Sequence, residues 1–205
     1  PVEPARFVID TPDKENAMLF ARVDLPANLS DADMPALITA DWIIGGSDGL
    51  SNRIVNRLRQ KEGLSYGSGS NITLPSFGNR AKWSVGAIVA PQNLAQAEKS
   101  LKDELARAYR DGITEAELAE AKRGIIGSRA VNRAQDGMVA SNWVNNLETG
   151  RTWQFSKKTE AAIEALTVED VNKALRRFCD VSKLTFALAG DLAKAKAAGK
   201  DFTQP

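Results

Sequence analysis

Hydrophobic positions along this chain follow two periods, and each change of period marks an element. Apolar clusters at Phe7-Val8-Ile9 and over 17–23 read as short strands, divided by the turn-like Thr11-Pro12-Asp13-Lys14. Ser30-Asp31-Ala32-Asp33 has the hydroxyl-x-x-acid spacing of a helix start, and the apolar sequence after it predicts a helix to about Ile44. Gly45-Gly46-Ser47-Asp48-Gly49 interrupts that helix. A second helix over 50–60 sets Leu50, Ile54 and Leu58 on one face, and Gly63 ends it as a helix C-terminal glycine does.

A hairpin is expected next, with strands over 65–74 and 82–90 around Pro75-Ser76-Phe77-Gly78-Asn79. Pro91 opens an amphipathic helix whose stripe is Leu94, Ala97, Leu101, Leu105 and Ala108. Thr114-Glu115-Ala116-Glu117 is a capping box, and helical sequence with glycine interruptions runs on from it to about Leu147. Helices over 152–165 and after the Thr167-Val168-Glu169-Asp170 box follow, the latter with Val168, Val171, Leu175 and Phe178 on its face. A last strand over 183–189 closes at Gly190-Asp191, and the Ala/Lys-rich tail over 192–205 is expected to fray. This order predicts an α+β fold in which helices cover a mainly antiparallel sheet, with residues 1–191 as a single domain.

Composition then removes function classes. The 205 residues contain no histidine and one cysteine. Without an imidazole the chain has no Ser-His-Asp or Cys-His catalysis of its own, and no nitrogen-ligated zinc site. The balance of 27 basic and 26 acidic side chains gives a net charge of +1. That charge supplies no electrostatic reason to expect nucleic acid or an anionic membrane as partner. No apolar run approaches the roughly 20 residues of a membrane-spanning helix. Starting at Pro1 without an initiator methionine, the chain reads as cut from something longer. The lone Cys179 excludes a disulfide framework and fits cytoplasm and bacterial periplasm equally.

Several short motifs fail on context. Gly63-Leu64-Ser65-Tyr66-Gly67 spells a nucleophile elbow, yet here a helix precedes the serine and a strand follows, the reverse of what the elbow needs. Gly67-Ser68-Gly69 starts like a dinucleotide fingerprint but has Ile72 at the third glycine, and the Gly45–Gly49 loop lacks a phosphate-binding lysine. Asp31-Ala32-Asp33 lacks the later ligands of a calcium loop. Cys179 falls on the apolar face of its helix, as a buried inert thiol would. One constellation stands out: Arg53, Arg57, Arg59 and Lys61 crowd one helix, and Tyr66 opens the strand after it. Its purely structural reading is that cations complement a helix C-terminus.

Leu58-Arg59-Gln60-Lys61-Glu62-Gly63-Leu64-Ser65-Tyr66 resembles the arginine-to-tyrosine signature in the C-terminal half of insulinase/pitrilysin-type zinc peptidases, with the same seven-residue step. The Gly-rich break before Leu50-Ser51-Asn52-Arg53, the Thr114 helix start, Leu166-Thr167-Val168-Glu169-Asp170-Val171 and the closing Leu188-Ala189-Gly190-Asp191 resemble the same domain, so the likeness spans most of 17–191. The resemblance implies a processing-peptidase-like α+β domain paired with a homologous partner that holds zinc through an inverted His-x-x-Glu-His motif and a distal glutamate. It implies that Arg59 and Tyr66 bind peptide substrate, and that Tyr66 also donates a catalytic hydrogen bond in the transition state. No cofactor is expected on this chain itself, with zinc on the companion domain or subunit, so the chain alone is expected to be inert. The same resemblance admits a catalytically dead scaffold or peptide-binding domain with no peptidase role.

Overall fold

Alternating burial along three strands builds the centre of the sheet. In the computed structural model, which describes residues 3–46 and 51–203, β2 (Ala17–Leu25) turns Ala17, Leu19 and Ala21 inward. β4 (Ala81–Val89) buries Ala81, Trp83, Val85, Ala87 and Val89, and β5 (Thr185–Gly190) buries Phe186 and Leu188. With β1 (Arg6–Asp10) and β3 (Ser65–Thr73) at the edges, the strand order is β1-β5-β2-β4-β3. Every neighbouring pair is antiparallel except β1 and β5, which run parallel. The fold is the expected α+β arrangement, with one parallel edge in the sheet.

Helices cover the inner face. α1 (Met34–Asp41) continues into a π-helical turn, Trp42–Gly46, and the short α2 (Arg53–Val55) continues into another, Asn56–Lys61. α3 (Leu94–Asp111) follows a 3-10 turn that begins at Pro91. Then come α4 (Glu115–Arg133), α5 (Asp136–Glu148), α6 (Trp153–Ala165), α7 (Val168–Leu175) and α8 (Leu192–Ala197). Leu37, Ile44, Ile54, Leu58, Leu101, Leu105, Leu175 and Phe178 join the inward side chains of the sheet in one core. Leu50 and residues 47–49 of the glycine-rich break lie outside the described residues.

Both capping boxes form, at Thr114/Glu117 and Thr167/Asp170. The first also serves as a tertiary anchor. Arg53 donates from Nε and Nη2 to the two Glu117 oxygens at 2.7 and 2.8 Å, and from Nη2 to the Gly112 carbonyl at 2.8 Å. Burial opposes ionisation of Glu117, but the hydrogen bonds from Arg53 and Thr114 outweigh it and hold its carboxyl below 4.5.

Three expectations need correction. The Ser30–Asp33 box does not form, because the helix begins three residues later: Asp33 is the N-cap, without a side-chain cap bond, and the third position beyond it is Ala36. Asp33 instead accepts from Arg177 at 3.1 Å, and Asp31 accepts from the Asn28 N–H at 2.9 Å. The helical stretch expected up to Leu147 with glycine interruptions breaks instead at Ala134-Gln135, into α4 and α5, while Gly124, Gly127 and Gly137 lie within the helices. The tail over 192–203 does not fray. Asp191 caps α8 by accepting from the Lys194 N–H at 2.8 Å, Phe202 is fully buried, and Arg6 donates to the Phe202 carbonyl at 2.6 Å. A buried aromatic anchor near the end holds this Lys-rich segment down where composition alone would release it.

The helical layer is keyed to the sheet by one carboxylate. Asp41, the last residue of α1, accepts from Ser70 Oγ at 2.6 Å and the Ile72 N–H at 3.1 Å on β3, and from Trp83 Nε1 at 2.7 Å on β4. Burial raises its pKa, against the three hydrogen bonds that favour the ionised form. The adjoining π turn packs on β3 so closely that a Cβ at Gly45 would lie 2.6 Å from the Ser70 nitrogen, and one at Gly69 2.9 Å from the Gly45 carbonyl oxygen. Glycine at both positions therefore lets backbone meet backbone along the β3 edge.

Asp41→Ala strands three donors in the interior and is expected to cost roughly 3 kcal/mol or more. Asp41→Asn, which sets an amide N–H against one of those donors, is expected to cost at least about 1 kcal/mol. Urea unfolding checks both, and wild-type midpoints would contradict the keying role. Glu117 gives a pH signature. Because its folded pKa is depressed, its contribution is present above its ordinary value of 4.5 and disappears as pH falls through the folded value. Glu117→Gln should thus lower stability by roughly 1 kcal/mol at neutral pH, and the gap to wild type should close on acidification below 4.5.

Candidate functional site

The segment from Asn52 to Tyr66 is built by caps at both ends. The Asn52 side chain accepts from the Val55 N–H at 2.8 Å and starts the helix. Gly63, at φ 64°, reverses the chain, and the Leu64 N–H then bonds the Leu58 carbonyl at 2.7 Å. That pairing is one residue wider than a Schellman C-terminus, in keeping with the π-helical turn it closes, and it too uses glycine's freedom at positive φ. The chain leaves the turn directly into β3, where the register slips between Ser65 and Gly67. Tyr66 occupies the slip. A bulge re-aims a side chain out of the alternation, and Tyr66 is 93% exposed.

The cationic cluster divides in two. Arg53 is committed to Glu117, and Arg57 Nε pairs with Glu62 at 2.5 Å. Glu62 in turn accepts from Ser100 Oγ of α3 at 2.6 Å. These two arginines hold the fold. Arg59 and Lys61 are exposed in the last turn, and among the described residues neither has an ion pair. Arg59 and Tyr66 therefore stand on two packed elements, the π turn and the start of β3. No hydrogen bond joins them among the described residues. The serine of the elbow-like motif holds the hairpin together, since Ser65 Oγ donates to the Ile88 carbonyl at 2.7 Å.

Beside Tyr66 lies a surface that motif reading did not identify. The outer face of the sheet carries two rungs without a polar side chain. In one, register neighbours run Phe7, Ala187, Phe20, Gly86; in the other, Ile9, Ala189, Met18, Ile88, Gly67. Phe7, Ile9, Met18, Phe20 and Ile88 are each 40–54% exposed. Four strand spacings make the second rung about 19 Å wide, ending next to Tyr66. The following rung turns polar, with Thr185, Arg22, Ser84 and Asn71. A contiguous apolar strip with a polar border marks a surface that meets something. Its sequence signal was present: Ala17-Met18-Leu19-Phe20-Ala21 is apolar on both alternating faces, where a sheet with one wet face would show polar residues at every second position.

The chain contains no histidine, and no group of three or more Cys, Asp or Glu side chains gathers among the described residues. Cys179 is fully buried, and that burial, aided by the negative charge of Asp41, pushes its thiol well above the ordinary value. It is a core residue rather than a ligand.

Comparison with known proteins gives the same domain. Residues 1–125 match the family described as the peptidase M16 inactive domain. The fold is similar to a peptidase M16 inactive domain from Pseudomonas fluorescens, with a TM-score of 0.80 and 23% identity, covering 92% of this chain and 44% of that one. It is similar to the inactive peptidase domain of a candidate zinc protease from Bordetella parapertussis (TM-score 0.70, 19% identity, 84% of this chain and 91% of that one). A chain of complex III2 from Candida albicans also shares the fold (TM-score 0.75, 17% identity, 92% of this chain and 46% of that one). Among curated protein sequences nothing matches. The chain thus spans less than half the length of the Pseudomonas relative. With the match covering more than half of its residues, the chain belongs to the peptidase M16 inactive-domain family.

Proposed function

We propose that this chain is the non-metal domain of an insulinase/pitrilysin-type zinc metalloendopeptidase, lending substrate and transition-state contacts to a zinc site on a companion domain or subunit. The observation that carries the proposal is Tyr66: a bulge turns it outward, with no hydrogen-bond partner among the described residues, at the border of an exposed apolar sheet face. A tyrosine serving only the fold would bury its ring. The bound zinc of the companion would supply Lewis-acid polarisation and an activated water. This chain's residues do the rest. Tyr66 donates its phenolic proton in a hydrogen bond to the scissile carbonyl oxygen as negative charge grows there. Arg59, always charged and without an ion partner among the described residues, grips main-chain carbonyls or a carboxylate of the peptide. The Phe7–Ile88 strip takes apolar substrate side chains or packs on the companion.

A second reading is a scaffold domain with no peptidase role, favoured by the likeness to a complex III2 chain. The two readings part in the assembled protein. Tyr66→Phe is expected to lower kcat on a fluorogenic peptide by about 10²–10³-fold. Arg59→Ala should act mainly on KM. Both variants, altering exposed side chains without ion pairs among the described residues, should keep their unfolding free energies within about 1 kcal/mol of wild type. The isolated chain should show no cleavage. Unchanged kinetics in both variants would remove the assigned roles and favour the scaffold.

A further inference from the structure

On the helical side, far from Tyr66, a cavity of about 440 Å³ opens between α5 and the start of α6. The β3–β4 loop contributes Ser76 to its wall; the length of β3 puts this end of the hairpin about 25 Å from Tyr66. Three guanidinium groups line the cavity, Arg129, Arg133 and Arg151. Arg129 donates to Glu160 at 2.9 Å and to Ser156 Oγ at 2.8 Å, and Arg133 pairs with the same Glu160. One carboxylate thus serves two arginines. Arg151 lies 4.5 Å above the Phe155 ring and donates from Nη2 to Ser30 Oγ at 3.1 Å, with no carboxylate partner among the described residues. Each guanidinium has five N–H donors, and most of those on the three arginines have no partner among the described residues.

The same wall holds four carboxamides, Asn132, Asn142, Asn145 and Asn146. Among the described residues none of the four side chains has a hydrogen-bond partner. An amide side chain offers one acceptor and two donors, the complement of a peptide group. Glu148 also lines the cavity; it opposes a polyphosphate carrying charge on every unit more than a peptide with an isolated carboxylate. α5 has no buried residue, so this wall is not committed to the core.

We propose that this cleft is a second binding site, taking an extended acidic peptide: a carboxylate on Arg133 and Arg151, and main-chain amides on the asparagines. It is independent of the role assigned to Tyr66. The test is calorimetric titration of the 205-residue chain with an acetylated, amidated glutamine tetrapeptide carrying a single glutamate, and with its neutral all-glutamine counterpart. The acidic peptide should bind and the neutral one should bind far more weakly. Arg151→Gln should weaken binding about tenfold and Asn142→Ala about threefold. Asn142 has no partner to lose among the described residues, so its variant keeps the native fold, and Tyr66→Phe should bind as wild type. Equal binding of the neutral peptide, wild-type affinity in both cleft variants, or saturation by oligothymidylate in place of the acidic peptide would overturn the proposal.

Discussion

The position of everything on this domain's working face depends on where the β3–β4 hairpin sits, and Asp41 fixes that position. Its two oxygens collect donors from two strands, Ser70 and Ile72 on β3 and Trp83 on β4. The energetic logic is that of a buried polar network: fully satisfied it specifies one arrangement, and a missing member leaves costly orphans. Trp83 extends the lock, its ring lying 4.8 Å from Phe178 just beyond α7. Gly45 and Gly69 let the π turn close on the β3 edge, which also shields a strand that would otherwise offer its backbone to any passing chain. The bulge that turns Tyr66 outward is thus mounted on a strand pinned at Ser70 and Ile72.

Much of this was legible in the sequence, and the reasons are physical. Period-2 and period-3.6 patterns are set by local geometry, so the hairpin, the α3 stripe and the two Thr-headed boxes could be read directly. Partners distant in sequence could not. Nothing local distinguishes Asp41 from any helix-terminal acid until Trp83 and Ser70 are brought to it. The tail misled because lysine and alanine speak for solvent, while the single Phe202 that anchors it speaks only once Arg6 and Gly190 are in place. The Ser30 box failed for a similar reason: Pro35 and Arg177 set the helix start, and spacing alone could not choose Asp33 over Ser30. Of the cationic cluster, the sequence identified the residues but not their division into Arg53 and Arg57, which bind the fold, and Arg59, which faces solvent.

The absence of histidine and the presence of Tyr66 make sense together in the proposed division of labour. In that proposal the contribution of this chain comes from groups that need no metal: a phenol, a guanidinium and an apolar wall. Tyr66 borders the apolar strip, and Arg59 stands on the turn packed against the strand that carries Tyr66. The cleft proposed for an acidic peptide lies among the helices and shares no residue with the Tyr66 face, so the two proposed sites would not compete for the same side chains.

The most direct test of the central claim places p-benzoylphenylalanine at position 66 in the assembly that carries the zinc site, and irradiates it with a labelled, uncleaved peptide. The account predicts a peptide adduct at position 66, suppressed by excess unlabelled peptide, well above the yield from a control probe at Tyr109 on the helical layer. Equal labelling at the two positions, or none at position 66, would contradict it.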